Sequence, residues 1–300
     1  MKLPTSTPAG PSALSRILCQ CAASALLLAF APAQAALVLS PLVNATAATG
    51  QGLSADWYQV DGAARFSAYD DGTGTPIGAH AWGTGIWAVS TDLPLITAPG
   101  STLVTDRLHT VSAVSFANQT YNDWAAGQLY GTWAMDHARP LAPLLDPTGP
   151  QENYAAVFGG YLYIAATGAY DLGVFSDDGF AFRLLGAGQS LAMGLDTLLG
   201  SPGRVAYSLA DRNGLQPGEL VLEAGYYGVE LQYFNRLEAG VIELNWQQGA
   251  GPWEPVDARF LFAELPAAVA EPGSAALAAL ALGLAGWFGR RRASASAGPR

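Results

Sequence analysis

Hydrophobic and polar positions alternate through the second half of the chain. Val229, Leu231 and Tyr233 are separated by Glu230 and Gln232, and Ile242, Leu244 and Trp246 repeat the two-residue spacing. Side chains on a strand point to opposite faces in turn, so both runs predict half-buried antiparallel strands. Tyr161–Ala165 leads through Thr167-Gly168 into Tyr170–Phe175, where Leu172 and Val174 share a face. Ser176-Asp177-Asp178-Gly179 then turns the chain into Phe180–Leu185. Asn235–Gly240 reads as a polar connection and Ala258–Ala263 as a last strand. Turn formers recur at short intervals, no window sustains a helical period, and no internal repeat is visible. The pattern predicts an all-β fold, an antiparallel sandwich or barrel, with the proline-rich stretch Pro140–Gln151 as a loop dividing an N-terminal elaboration from the regular half.

The two ends break this pattern. Lys2 and Arg16 precede an apolar run from Cys21 to Ala31, and Ala33-Gln34-Ala35 supplies small residues, so residues 1–35 read as a secretory signal peptide cleaved between Ala35 and Ala36. Cys19 and Cys21 go with it and have no lipobox. The exported part therefore has no cysteine for disulfides or thiolate metal sites. At the other end, Glu271-Pro272-Gly273 opens an apolar segment, 274–289, followed at once by Arg290, Arg291 and Arg292. Such a segment sits in a membrane with its basic end in the cytoplasm, and it is short for a hydrocarbon core of about 30 Å. The order of parts from Ala270 to Arg292 resembles the PEP-CTERM sorting signal, with Ala270-Glu271-Pro272 where that family reads Pro-Glu-Pro. The resemblance implies passage through the inner membrane of a Gram-negative bacterium that makes exopolysaccharide. It also implies that an exosortase-type enzyme processes the sorting region, 266–300, at a site the sequence does not fix, and that the protein resides at the cell surface or in the matrix. Without the resemblance the same residues read as an ordinary C-terminal membrane tail.

Charge narrows the partners. All 24 carboxylates lie between Ala36 and Pro272, with eight arginines and no lysine, a net charge of −16. Such a surface repels nucleic acid and anionic lipid. It suits a soluble secreted protein or one that gathers divalent cations.

Three stretches carry a second resemblance: GLSADWY (Gly52–Tyr58), FGGYLYIAATGAYDLGVFSDDGFAFRLLG (Phe158–Gly186) and AGYYGVELQYFNRLEAGVIELNWQ (Ala224–Gln247). In their order they are similar to the PA-fourteen domain, the β-barrel first named from anthrax protective antigen. The likeness is specific over 158–186 and 224–247, which sets a PA-fourteen-like core at 151–265 after a divergent part at 36–150, and it is weak over 60–150. In lectin members of that family two adjacent aspartates, joined by a cis peptide bond, chelate Ca²⁺. The resemblance puts those roles on Asp177 and Asp178, a side-chain amide ligand on Asn235, and backbone carbonyl ligands at Leu237 and Ala239, with sugar hydroxyls completing the shell. Phe234 is a candidate contact for the sugar.

An SDDG turn is also an ordinary turn, because aspartate and glycine favour turns. Asp70-Asp71-Gly72-Thr73-Gly74 reads as a surface hairpin loop, and His80, His109 and His137 lack metal spacing. No nucleophile elbow, paired catalytic carboxylates, phosphate loop or dinucleotide fingerprint stands out, so a non-catalytic protein is expected. Two readings remain: a calcium-dependent carbohydrate-binding module within an exopolysaccharide matrix, or a structural β scaffold with no specific ligand.

Overall fold

A computed structural model describes residues 35–45, 49–64, 66, 85–121, 142–143, 152–196 and 205–266. The chain divides into two compact units, Met1–Ala36 and Leu37–Arg300, and both sheets belong to the second. The signal-peptide run, Asp70–Gly74, His80, His137, nearly all of Pro140–Gln151, Glu271, Pro272, Gly273, the apolar segment 274–289 and Arg290, Arg291 and Arg292 lie outside the described residues. Among the described residues no helix is long and apolar enough to cross a membrane.

Two sheets face each other. The first holds β1 (Leu37–Leu39), β4 (Ser115–Ala117), β5 (Ala142–Pro143), β7 (Gly168–Asp177), β10 (Val205–Ser208), β11 (Leu220–Leu222), β13 (Val241–Gln248) and β14 (Trp253–Pro255). Its order is β1-β11-β7-β13-β4-β5, with β10 on β7 and β14 on β13. The second holds β2 (Leu53–Val60), β3 (Val104–Ser112), β6 (Tyr154–Ile164), β8 (Phe180–Gly186), β9 (Gln189–Leu195), β12 (Gly225–Asn235) and β15 (Leu261–Phe262). Its order is β3-β2-β6-β12-β8-β9, with β15 on β6.

The all-β expectation holds, with two differences. The described strands form a two-sheet sandwich and not a closed barrel, and β1–β11 and β4–β5 pair in parallel. The predicted strand at Ala258–Ala263 is split into a 3-10 turn, Ala258–Phe260, and the two-residue β15. The Asp257 side chain accepts the Arg259 N–H at 2.9 Å and nucleates that turn.

Between the sheets lies the main core. Leu172, Val174 and Leu244 from one sheet meet Phe182, Leu231 and Trp57 from the other. Trp57 packs edge-on against both Phe116 and Phe158, with centroids 5.0 and 5.3 Å away. A second cluster lies outside the second sheet, where Val89, Leu93 and Ile96 of helix α1 (Val89–Thr97) cover Tyr58, Val60, Ala155 and Phe234. This helix escaped the periodicity analysis. Pro94 sits inside it and would ordinarily break such a run. Its start is held by Asp92, which accepts the N–H groups of Trp87 (2.7 Å) and Ala88 (3.0 Å).

Candidate functional site

Strand β7 ends at Asp177, where its ladder partner is Val241 at the start of β13. The Asp177–Asp178 peptide bond is cis, as the resemblance implies. Gly179 follows because nothing larger fits: a Cβ there would lie 2.4 Å from the Phe234 ring and 2.9 Å from the Leu195 carbonyl. Strand β8 then runs back beside β12, and the turn is clamped by backbone bonds in both directions between it and Phe234 (Asp178 N–H to Phe234 O, 3.2 Å; Phe234 N–H to Gly179 O, 3.0 Å). The Ser176 hydroxyl donates to the Asp178 carbonyl at 2.9 Å. The aspartates thus sit in a fixed turn that carries the chain from the first sheet to the second.

Asp177 is 9 % exposed, Asp178 7 % and Asn235 0 %. The two carboxyl groups are within hydrogen-bonding reach of each other. Burial, and after it the Asp177 charge, push the Asp178 carboxyl well above its ordinary range, although the Arg236 N–H donates to its Oδ2 at 2.8 Å. Two buried acids so close cannot both ionise without a compensating cation. The Arg236 guanidinium, 4.0 Å over the Trp87 ring, favours the ionised form of Asp178 only weakly against these two effects.

Strand β12 delivers the third side chain. Asn235 is its last residue and stands opposite Tyr154, the first of β6. Its amide donates to the Tyr154 hydroxyl. The Tyr154 and Tyr233 hydroxyls lie 3.2 Å apart, and Tyr233 donates to the Asp177 carbonyl at 2.7 Å. A chain of hydroxyls therefore joins Asn235 to the aspartate turn. Both phenols are held above their ordinary range, chiefly by burial, and both sense the Asp177 and Asp178 charges. Gly240 completes the fit, since a Cβ there would meet Tyr154 Oη at 2.1 Å and Asn235 Nδ2 at 2.7 Å.

The loop after Asn235 turns through Glu238, whose φ is +57°. Its alternate carbonyls are engaged by the protein: Arg236 O accepts from the Asn153 N–H (2.9 Å), Glu238 O from the Asn118 amide (2.6 Å) and Gly240 O from the Asn118 N–H (2.9 Å). The carbonyls of Leu237 and Ala239 alternate with these along the loop. The Leu237 side chain is 38 % exposed, and Ala239 is buried against Tyr121, Phe175 and Val241. Phe234 offers no face to a ligand: its ring is fully buried under helix α1.

The structure therefore brings Asp177, Asp178 and Asn235 to one point, with the Leu237–Ala239 loop beside them. Among the described residues no group of three or more His, Cys, Asp or Glu side chains converges. Any cation here has to draw on amide and backbone oxygens. An all-oxygen set of two carboxylates, one carboxamide and carbonyls fits a hard cation such as Ca²⁺ and not zinc or copper.

Tyr154, Arg236 and Trp87 were missed by sequence reasoning. Tyr154 lies 81 positions before Asn235, and only the β6–β12 register joins them. Tyr233 was open to inference, because it is two residues from Asn235 on the same face of one strand.

No protein-family model matches the chain, and no curated protein does. Among solved structures, it is similar to the PA14 domain of the MpAFP antifreeze protein, at 13 % identity over 74 % of this chain and 95 % of that one, with a TM-score of 0.37. It is similar to a PA14 sugar-binding domain from an RTX adhesin, at 16 % identity over 71 % and 98 %, with a TM-score of 0.36. A third is the Epithelial Adhesin 9 A domain from Candida glabrata in complex with Galβ1-4GlcNAc, at 13 % identity over 76 % and 96 %, with a TM-score of 0.40.

Proposed function

We propose that this chain is a non-catalytic, exported carbohydrate-binding protein whose β7–β8 turn and β12 end hold a calcium ion. The observation that carries the reading is the pair of buried carboxylates, Asp177 and Asp178, in mutual contact and beside Asn235. That arrangement is unfavourable by itself and becomes favourable around a divalent cation. The oxygens that would hold it are the Asp177 and Asp178 carboxylates, Asn235 Oδ1, and the carbonyls of Leu237 and Ala239. A calcium ion so held would supply positions for sugar hydroxyls. The chain's own part is to bury the carboxylates, fix the amide through Tyr154, and present the exposed Leu237 edge to the glycan. Export, anchoring by the segment 274–289 and trimming by an exosortase-type enzyme belong to the same reading, with matrix polysaccharide as the natural partner.

The test is thermal unfolding of the full chain in calcium and in chelator, for the wild type and Asp178→Asn. At about 100 times its dissociation constant, calcium adds about 2.7 kcal/mol, a rise of roughly 5–10 °C in Tm for a domain of this size. Asp178→Asn should show no rise. In chelator the order should reverse, with the variant at least as stable as wild type, because the substitution removes one of two repelling acids. Equal behaviour in both media would sink the calcium site and leave a β scaffold without specific ligand.

A further inference from the structure

We infer that a second glycan-binding site, independent of any cation, lies at the opposite end of the first sheet. The β7–β13 ladder pairs Val241 with Asp177 at one end and Gln248 with Tyr170 at the other. Seven residues at roughly 3.3 Å each put the two ends about 23 Å apart. At the far end is a cavity of about 350 Å³, bounded by the turns at Ala165-Ala166 and Gln248–Gly251 and by the 3-10 turn at Ala258–Phe260. That is within the usual size range for a small-molecule site.

Its wall is aromatic. Trp246 stands between Tyr170 (centroids 6.0 Å, planes at 38°) and Phe260 (4.9 Å, 54°). Trp246 and Phe260 are only half buried, so ring surface is left toward the cavity. The rings are not free to swing. The Gln248 amide donates to Tyr170 Oη at 3.0 Å, and that hydroxyl donates to the Ala166 carbonyl at 3.0 Å. The Arg259 guanidinium caps Phe260 at 4.8 Å.

The rim carries Gln248, Glu254 and Arg259, all exposed. Together they offer planar donors and acceptors with no net charge. Fixed aromatic faces ringed by neutral-sum polar groups match a neutral pyranose, whose C–H face lies on a ring while its hydroxyls reach the planar groups. An anionic ligand would meet one guanidinium, which also lies 3.8 Å from Asp257, and the Glu254 carboxylate. An apolar chain would desolvate the rim without pairing it. This site stands on its own geometry and does not need calcium at Asp177 and Asp178.

The experiment is saturation-transfer NMR on the full chain in chelator, with cellobiose, lactose, mannobiose and chitobiose as probes. Transfer to ring C–H protons is expected for at least one of them. It should weaken about five- to tenfold in affinity in Gln248→Ala and in Arg259→Ala, each checked for an unchanged Tm, and persist in Asp178→Asn. No transfer from any probe overturns the proposal. So does transfer that survives both rim substitutions, which would place it elsewhere, or transfer lost in Asp178→Asn, which would assign it to the cation site. Because that last variant separates the sites, failure here leaves the calcium reading untouched, and the reverse also holds.

Discussion

Replacing Tyr233 by Phe removes a single oxygen from the middle of the chain that joins Asn235 to the aspartate turn. That oxygen donates to the Asp177 carbonyl at 2.7 Å and lies 3.2 Å from the Tyr154 hydroxyl, all fully buried. Leaving a buried carbonyl without its donor costs about 1–3 kcal/mol. A stability loss alone says nothing about calcium, so a matched control is needed. Tyr227→Phe provides it, because the single Tyr227 O–H proton is shared between the carbonyls of Leu39 (2.6 Å) and Glu223 (2.8 Å), away from the aspartate turn. Both variants should lose comparable stability in chelator. Only Tyr233→Phe should respond less to calcium, since Asp177 and Asn235 are then no longer held together. A tenfold weaker site at the same calcium concentration lowers the increment from about 2.7 to about 1.4 kcal/mol. At 2–4 °C per kcal/mol, the rise in Tm shrinks to roughly half that of wild type and of Tyr227→Phe. Calorimetry at matched calcium reads this directly. An undiminished calcium increment in Tyr233→Phe would refute the claim that the hydroxyl chain positions the ligands.

Three further outcomes follow from the same geometry. Gly240→Ala places a methyl 2.1 Å from Tyr154 Oη and 2.7 Å from Asn235 Nδ2; it should cost about 1–3 kcal/mol by overpacking and abolish the calcium response in the same unfolding assay. Asp171, whose carboxyl is raised above 3.8 by burial first and by nearby Asp211 last, holds its proton more tightly folded than unfolded. Its contribution is complete below the unfolded value and lost as pH rises through the raised one, so Asp171→Asn, which keeps an acceptor for the Leu172 and Ala210 N–H groups, should flatten that fall in pH-dependent melts taken in chelator. Arg183→Ala, which breaks an exposed 3.0 Å pair with Glu230, should change stability by under about 1 kcal/mol, and a larger loss in urea unfolding would contradict the assignment of that pair to the surface.

Strands whose two faces differ could be read from the sequence. Val229, Leu231 and Tyr233 point into the core, as their spacing predicts, while Glu230 faces solvent. The SDDG turn and Asn235 were legible for another reason, namely local composition and resemblance. What stayed hidden depends on contacts between distant segments. Helix α1 forms over Tyr58, Val60, Ala155 and Phe234, a surface assembled from three strands, and its own proline argues against it. Phe234 looked available because it is next to Asn235, yet adjacent residues on a strand face opposite ways, and the opposite side is covered by that helix. The aromatic cavity at Trp246 draws its wall from three separate segments, so no window of sequence contains it.

An early and a late stretch of the chain are stitched to each other: the N–H groups of Gly50 and Gly52 donate to the carbonyls of Arg259 and Leu261 (2.8 and 3.0 Å), and β15 pairs two residues with β6. A mechanical load entering through the chain after Pro266 therefore falls first on this short seam. The seam would unzip a few bonds at a time, whereas the aspartate turn is held by β12 and β13, strands of eleven and eight residues in the sheet interiors. Under tension on that end of the chain, the seam would open before the long strands that frame the aspartate turn part from their neighbours.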